Sequence, residues 1–160
     1  MTADPLIYST SPLKMADAVA ALILVENDGY LMQHRDLKPQ IWHPGCWGLF
    51  GGAIESGEDE VAALTRELDE ELELKLASPR FFARFTFDLG GIDLGAHIRS
   101  FYTVEITRAA CAGLSLHEGA GMKVFAAADI LVEPRITPYD SFAIFLHHAR
   151  NRLRQGHEKS

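Results

Sequence analysis

One segment, Glu58 to Glu73, limits what this chain can fold into more than any other. It holds eight of the 22 acidic groups and a single basic group, Arg66, so its charge excess equals the whole formal net charge of -7. Val61, Leu64, Leu68 and Leu72 recur through it at helical spacing. That spacing marks an amphipathic helix whose apolar stripe faces a core. Asp59 stands where an N-cap belongs, and Glu60 is favourable beside the positive end of the helix dipole. Each helical residue advances about 100°, so Glu67, Glu70 and Glu71 fall within about 100° of one another. Like charges at this spacing destabilise a helix by roughly 0.2–0.5 kcal/mol per pair. A bound hard cation would offset that repulsion. Mg²⁺ takes carboxylate oxygens and completes its shell with water and phosphates. The competing reading is a solvated acidic face on an ordinary surface helix.

The rest of the chain reads as strands and helices arranged around that segment. Residues 18–26 form a buried strand, Asn27-Asp28-Gly29 a hairpin turn, and Tyr30–Arg35 its partner strand. Residues 36–45 form a loop with two prolines, and Trp47–Ile54 a short strand entering Gly51-Gly52. Phe81–Leu89 alternates, with Ala83, Phe85 and Phe87 on one side, before a turn at Gly90-Gly91. Ala96–Ile106 alternates again through Ile98, Tyr102 and Val104. Residues 107–120 carry little pattern and read as a loop; Met122–Phe125 reads as a short strand. Thr137-Pro138 opens a last helix with Phe142, Phe145, Leu146, Ala149 and Leu153 on one face, and the polar tail after Gln155 is frayed. The pattern predicts one α/β domain over residues 1–160, with a core from about 16 to 155. A chain of this length buries roughly 70% of its unfolded surface.

Composition removes several classes of function. The negative balance argues against a nonspecific binder of nucleic acid or of an anionic membrane. Cys46 and Cys111 form no ligand-spaced pair and require no disulfide, so a reducing cytoplasm is the expected compartment. The apolar run Ala18–Val25 is too short to span a bilayer.

The order of residues from 52 to 74 resembles the signature of the Nudix hydrolase family, Gly-x5-Glu-x7-Arg-Glu-U-x-Glu-Glu-x-Gly-U, with U a bulky aliphatic residue. Gly52, Glu58, Arg66, Glu67, Leu68, Glu70, Glu71 and Leu74 stand at the required spacings. Glu73 stands where the family has glycine, and Phe50 where the family often has proline. The family glycine closes the helix in a left-handed conformation. A glutamate there either bears strain of order 1 kcal/mol or lets the helix run on. The resemblance implies the Nudix fold, a mixed β-sheet sandwiched between α-helices.

It also implies a chemistry. Cleaving a diphosphate linkage builds negative charge on phosphoryl oxygens, and a carboxylate cluster alone would repel such a substrate. A divalent cation inverts that field and activates or orients water. Mg²⁺ is the implied cofactor, with Mn²⁺ able to substitute. Glu67 and Glu71, one turn apart, are the best pair of ligands; Glu70 could hold a second metal or orient the water. By resemblance the Gly52 carbonyl also reaches the metal. Arg66 is expected to pair with Glu58 and hold the entry loop against the helix. Glu118 resembles a loop position where many family members place a further carboxylate, a metal ligand or a base. The candidate catalytic set is therefore Glu58, Arg66, Glu67, Glu70 and Glu118. Arg35 could contact a phosphate, and Trp42 and His43 could stack on a nucleobase. Trp47 and Tyr102 read as core residues.

The implied activity is a Mg²⁺-dependent pyrophosphohydrolase acting on a nucleoside diphosphate linked to another moiety, of nucleoside triphosphate or nucleotide sugar type. A catalytically idle nucleotide-binding domain with a regulatory role, or a hydrolase of a non-nucleotide diphosphate, are the alternatives. The expected partner is a small nucleotide or diphosphate, with no nucleic acid and no membrane; a homodimer stays open.

Overall fold

A computed structural model describes residues 16–26, 29–75, 78–88 and 95–157. In chain order these carry β1 (Ala18–Val25), β2 (Gly29–His34), β3 (Trp47–Gly48), α1 (Glu60–Leu72), β4 (Arg80–Asp88), β5 (Ala96–Ile106), α2 (Arg108–Ala112), β6 (Gly121–Phe125), α3 (Ala127–Ile130) and α4 (Pro138–His157). The strands form one mixed sheet in the order β3-β2-β1-β5-β4, with β6 paired to β2 outside that path. β1 and β5 run parallel; β2, β6 and β4 pair antiparallel to their neighbours.

β1 explains why the sheet sits between two layers. Val19, Ala21, Ile23 and Val25 pack with Ala63, Leu64, Leu68 and Leu72 of α1. The intervening Ala20 and Leu22 pack on the other face with Ile130, Ala143 and Ile144 of α3 and α4. A strand covered on both faces needs apolar residues at every position, which is why the AVAALILV run lacks polar alternation. Fully burying each large aliphatic side chain contributes about 1.5–3 kcal/mol. The fold is the expected helix–sheet–helix sandwich.

The segment after β3 positions the site. Its start pairs with β2, through Gln33 opposite Gly48 and His34 opposite Trp47. It then crosses to β1, bridging Phe50 to Ala21 and Ala53 to Ala18. The predicted strand Trp47–Ile54 is thus only Trp47–Gly48, followed by isolated bridges, because Gly51 has φ 128° and interrupts the extended run. A Cβ at Gly51 would collide with the Val19 carbonyl oxygen, so this turn requires glycine.

Several other expectations need correction. Val61 is 44% exposed, and Ala63 is buried in its place. The presumed loop 107–120 contains α2, capped by Thr107, whose hydroxyl accepts from the Ala110 N–H at 3.0 Å. α3 was equally unmarked, since helices of four or five residues carry too little period to be read. Ser100–Val104 are all buried and do not alternate, because β5, like β1, is covered on both faces. Among the described side chains of α4, Asp140, Ala143 and Ile144 are buried, while Phe142 and Phe145 are about half exposed; α4 also continues past Gln155 to His157. Asn27, Asp28 and the Gly90-Gly91 turn lie outside the described residues. No described helix is long and apolar enough to cross a membrane.

Candidate active site

α1 starts and stops as its sequence dictates. The Asp59 carboxylate accepts from the Ala62 N–H at 2.8 Å, closing the N-terminal turn. At the other end Glu73 takes the left-handed conformation at φ 54°, its N–H donating to Asp69 O, while the Leu74 N–H reaches back to Leu68 O. This is the helix closure usually made by glycine, here made by a glutamate.

Glu67 and Glu71 project from α1 toward the Gly51-Gly52 turn. Glu71 is 5% exposed and accepts from the Gly51 N–H at 3.0 Å and from Gln33 Nε2 at 3.2 Å. Burial pushes its carboxyl up to about 8, with the nearby Glu118 and Glu67 charges adding to the effect. Burial also raises Glu67, against the opposing pull of Arg66 at 2.8 Å. Gly52 is packed so tightly against Glu67 that a Cβ there would overlap the carboxylate. The Gly52 carbonyl accepts from the Val19 N–H at 2.9 Å, which leaves one of its two lone pairs.

Arg66 ties the entry loop down. It donates to both Glu58 oxygens at 3.0 Å and to the Ala53 carbonyl at 3.0 Å. The Glu58 carboxyl is held below its ordinary range by that guanidinium. In turn Glu58 and Glu67 keep Arg66 firmly charged.

Glu67, Glu71, Gly52 and Glu118 line one cavity of about 570 Å³ together with Arg35 and Trp42. Glu70 does not join them. It is largely exposed, with a 3.4 Å contact to Arg66, because its position on the wheel lies about 100° from Glu71, on the side away from the glycine turn. His43 is not in the lining either; it stands at φ 50° and packs edge-on to Tyr139 at 5.5 Å. Glu58 and Arg66 sit behind the wall. Trp42 packs edge-on to His97 at 4.9 Å, and its carbonyl receives Arg35 Nε at 2.9 Å. Trp47 stacks between His34 and Phe125, and Tyr102 is buried with its hydroxyl on Glu60.

Gln33, Asp17, Arg99 and Tyr139 were not anticipated. Gln33 left one signal, a polar side chain inside an otherwise apolar strand; its Nε2 also donates to the Glu118 carbonyl at 3.1 Å and so links α1 to the 117–119 loop. The others left none, since they reach the cavity only through strand pairing and the start of α4.

Among the described residues no three acidic, histidine or cysteine side chains are drawn into a finished ligand cage. The donor set nevertheless suits a divalent cation. Burial raises the proton affinity of both Glu67 and Glu71, the Glu118 charge adds to both and the Glu67 charge adds at Glu71; a hard cation on carboxylate oxygens relieves that cost. Gly52 leaves the space beside Glu67 free of any side chain.

A mixed sheet between helices, with a Gly-Gly turn clamped to an acidic helix, defines the class as the Nudix fold. A family model described as NUDIX domain matches residues 14–134, and the chain belongs to the Nudix hydrolase family. A nucleoside triphosphatase NudI from Salmonella agona is 43% identical over 49 residues, 31% of this chain and 35% of that protein. A Nudix hydrolase from Pseudomonas aeruginosa is 35% identical over 71 residues, 44% of this chain and 42% of that protein. The alignments thus span well under half the length of these relatives. Among solved structures, the MutT protein of Methanosarcina mazei Go1 superposes with a TM-score of 0.72 at 20% identity, covering 88% of this chain and 99% of that one. The NUDIX domain of Shewanella oneidensis NrtR, complexed with ADP ribose, does so with a TM-score of 0.64 at 21% identity, covering 94% of each chain. These two show the shared fold.

Proposed function

We propose that this protein is a Mg²⁺-dependent pyrophosphohydrolase cleaving a nucleoside diphosphate linked to another moiety. The observation that carries the reading is the acidic end of the cavity, where Glu67, Glu71 and Glu118 face the Gly51-Gly52 turn. Glu67, Glu71 and the Gly52 carbonyl would hold the divalent ion, Mg²⁺ or Mn²⁺. When bound, it supplies charge neutralisation for the diphosphate oxygens and a more acidic water. Gln33 and the Gly51 N–H fix the Glu71 carboxylate, and Arg66 fixes Glu67. In this reading Glu58 and Arg66 act by positioning, and Glu70 sits at the rim. Glu118, exposed on its loop and facing Glu67 and Glu71, is the candidate base for the attacking water. Arg35 is suited to a phosphate and Trp42 to a planar ring; His43 acts at most through Tyr139. We read residues 1–160 as one such unit, in a reducing compartment where Cys46 and Cys111 need no disulfide.

The test is release of phosphate or pyrophosphate from a panel of nucleoside triphosphates and nucleotide sugars with Mg²⁺. Turnover abolished by EDTA and restored by Mg²⁺ or Mn²⁺ is expected. Tight nucleotide binding without cleavage of any member would favour the idle, regulatory alternative and overturn the reading.

A further inference from the structure

The cavity has a second end of opposite charge. Arg99 lines it together with Arg35 and Tyr139. Arg99 lies on β5 opposite Ala18 of β1, and Ala18 bridges Ala53. Paired strands lie about 4.8 Å apart, so two steps put the Arg99 backbone about 10 Å from the glycine turn.

Arg99 is held in an unusual way. Its guanidinium lies 5.0 Å from the Tyr139 ring centre and 5.8 Å from that of Phe101. Its Nε is buried without a hydrogen-bond partner, 3.7 Å from the equally unpartnered Oδ1 of Asp140. That separation is too long for a hydrogen bond. Asp140 cannot come closer, because its Oδ2 is occupied by the Leu49 N–H at 2.9 Å and the Thr137 hydroxyl at 2.6 Å. The carboxylate therefore backs Arg99 by charge alone, and the terminal guanidinium nitrogens are left to the cavity. Arg35 is fixed through Nε on the Trp42 carbonyl and has no ion pair among the described residues. Arg35, Arg99 and Tyr139 line the same end of the cavity. Asp17 also lines the cavity, but its Oδ2 accepts from the Ile98 N–H at 2.7 Å and it forms no ion pair with either arginine among the described residues, so the two guanidiniums directly face one carboxylate, Asp140, at 3.7 Å from Arg99. A half-buried guanidinium without a counter-charge is costly. Its planar fork matches the two oxygens of a phosphate or carboxylate.

We propose that this end is a second anion site. It takes a phosphate or carboxylate on the non-reacting portion of the substrate, in the same cavity as the glycine turn, which Trp42 and Phe87 also line. The inference rests on reading the carboxylate end as the diphosphate site. A neutral carbonyl would satisfy the donors but leave the charge uncompensated, so an anion is the better fit.

Two pairs of compounds that differ only in a remote anion test it: UDP-glucose with UDP-glucuronate, and ADP-ribose with its 2′-phosphate. Affinity is measured by calorimetry with Ca²⁺ replacing Mg²⁺, and initial rates are measured with Mg²⁺. In at least one pair the anionic member should bind about tenfold more tightly or better, with the gain in kcat/KM residing in KM. The pair that responds distinguishes a carboxylate on a sugar from a phosphate on a ribose. Arg99→Gln should reduce the preference to less than twofold, and Arg99→Lys should restore only part of it. Absence of preference in both pairs, or a preference surviving in Arg99→Gln, overturns the proposal. Should Arg99→Gln fail to fold, Arg35→Gln reads the same charge: a reduced preference supports the site and an unchanged one overturns it. Anion preference in binding with no cleavage would sustain this site and sink the hydrolase reading. Equal cleavage of both members would do the reverse, and no binding by any member would overturn both.

Discussion

Glu71 concentrates the conflict on which the site rests. Its carboxylate is buried, close to two other acids, and held by a backbone N–H and an amide that both favour charge. Glu71→Gln keeps the shape and an acceptor for the Gly51 N–H, so the fold should survive. One charged metal ligand is lost, and kcat/KM at saturating Mg²⁺ should fall by more than tenfold, equivalent to about 1.4 kcal/mol of barrier. Near-wild-type rates in the folded variant would remove Glu71 from the ligand set. His147 makes a different residue-scale prediction, on the far face of the sheet. Its Nδ1 lies 2.8 Å from the Tyr30 hydroxyl, against the Phe82 ring. Burial lowers its proton affinity, and the Arg150 charge lowers it further. Burial raises the Tyr30 hydroxyl to about 12, so that group remains a donor. A folded-state pKa below the unfolded 6.5 means that the unfolded chain binds the proton more readily. The contribution of His147 to stability is therefore complete above pH 6.5 and is lost as pH falls through the lowered value. Thermal melts between pH 7.5 and 5 should show a steeper acid-side loss in the wild type than in His147→Gln. Parallel curves would show that the imidazole does not titrate between the two states.

At the scale of elements, α1 shows what a local pattern can and cannot encode. Its start at Asp59, its apolar stripe from Leu64 to Leu72 and the Arg66–Glu58 pairing were legible, because each depends on residues within a few turns. Its end was ambiguous, and the structure resolves it in favour of a strained left-handed Glu73. Glu73→Gly should relieve up to roughly 1 kcal/mol of backbone strain. The exposed contact from Glu73 to His117 at 2.7 Å offsets part of the gain; exposed ion pairs are worth about 0–1 kcal/mol. A rise in Tm of at most a few degrees, with unchanged turnover, is the expected result. A clear fall would mean that the His117 contact outweighs the strain. β1 and β5 were legible as strands for the same local reason. Their parallel pairing was not, and only that pairing sets Arg99 beside Ala18, which bridges in turn to Ala53. Asp140 was hidden likewise, since its partner Leu49 is 91 residues away in the chain. The acidic end of the cavity could thus be read from one helix, whereas the basic end exists only after the sheet has formed.

For the molecule as a whole, charge and stability are tied through one segment. The net charge of -7 is the excess carried by Glu58–Glu73, and that segment packs through Leu64, Leu68 and Leu72 onto the central strand β1. Repulsion at its carboxylate face therefore works directly against the core. A ligand that binds only the folded state adds RT ln(1 + [L]/Kd), about 1.4 kcal/mol at ten times its Kd. In a domain of this size each kcal/mol moves Tm by roughly 2–4 °C. Millimolar Mg²⁺ or Mn²⁺ should therefore raise Tm by a few degrees. The rise should exceed that from NaCl at equal ionic strength, because screening also softens repulsion among exposed charges but reaches buried Glu71 poorly. A Glu67→Gln, Glu71→Gln double variant should start from a higher metal-free Tm, having lost the repulsion, and should respond to Mg²⁺ no more than to NaCl. Equal responses to MgCl₂ and NaCl in the wild type would mean that the carboxylates alone hold no ion. The metal would then have to arrive already bound to the phosphates of the substrate, and a Mg²⁺-dependent shift should emerge only when nucleotide is added.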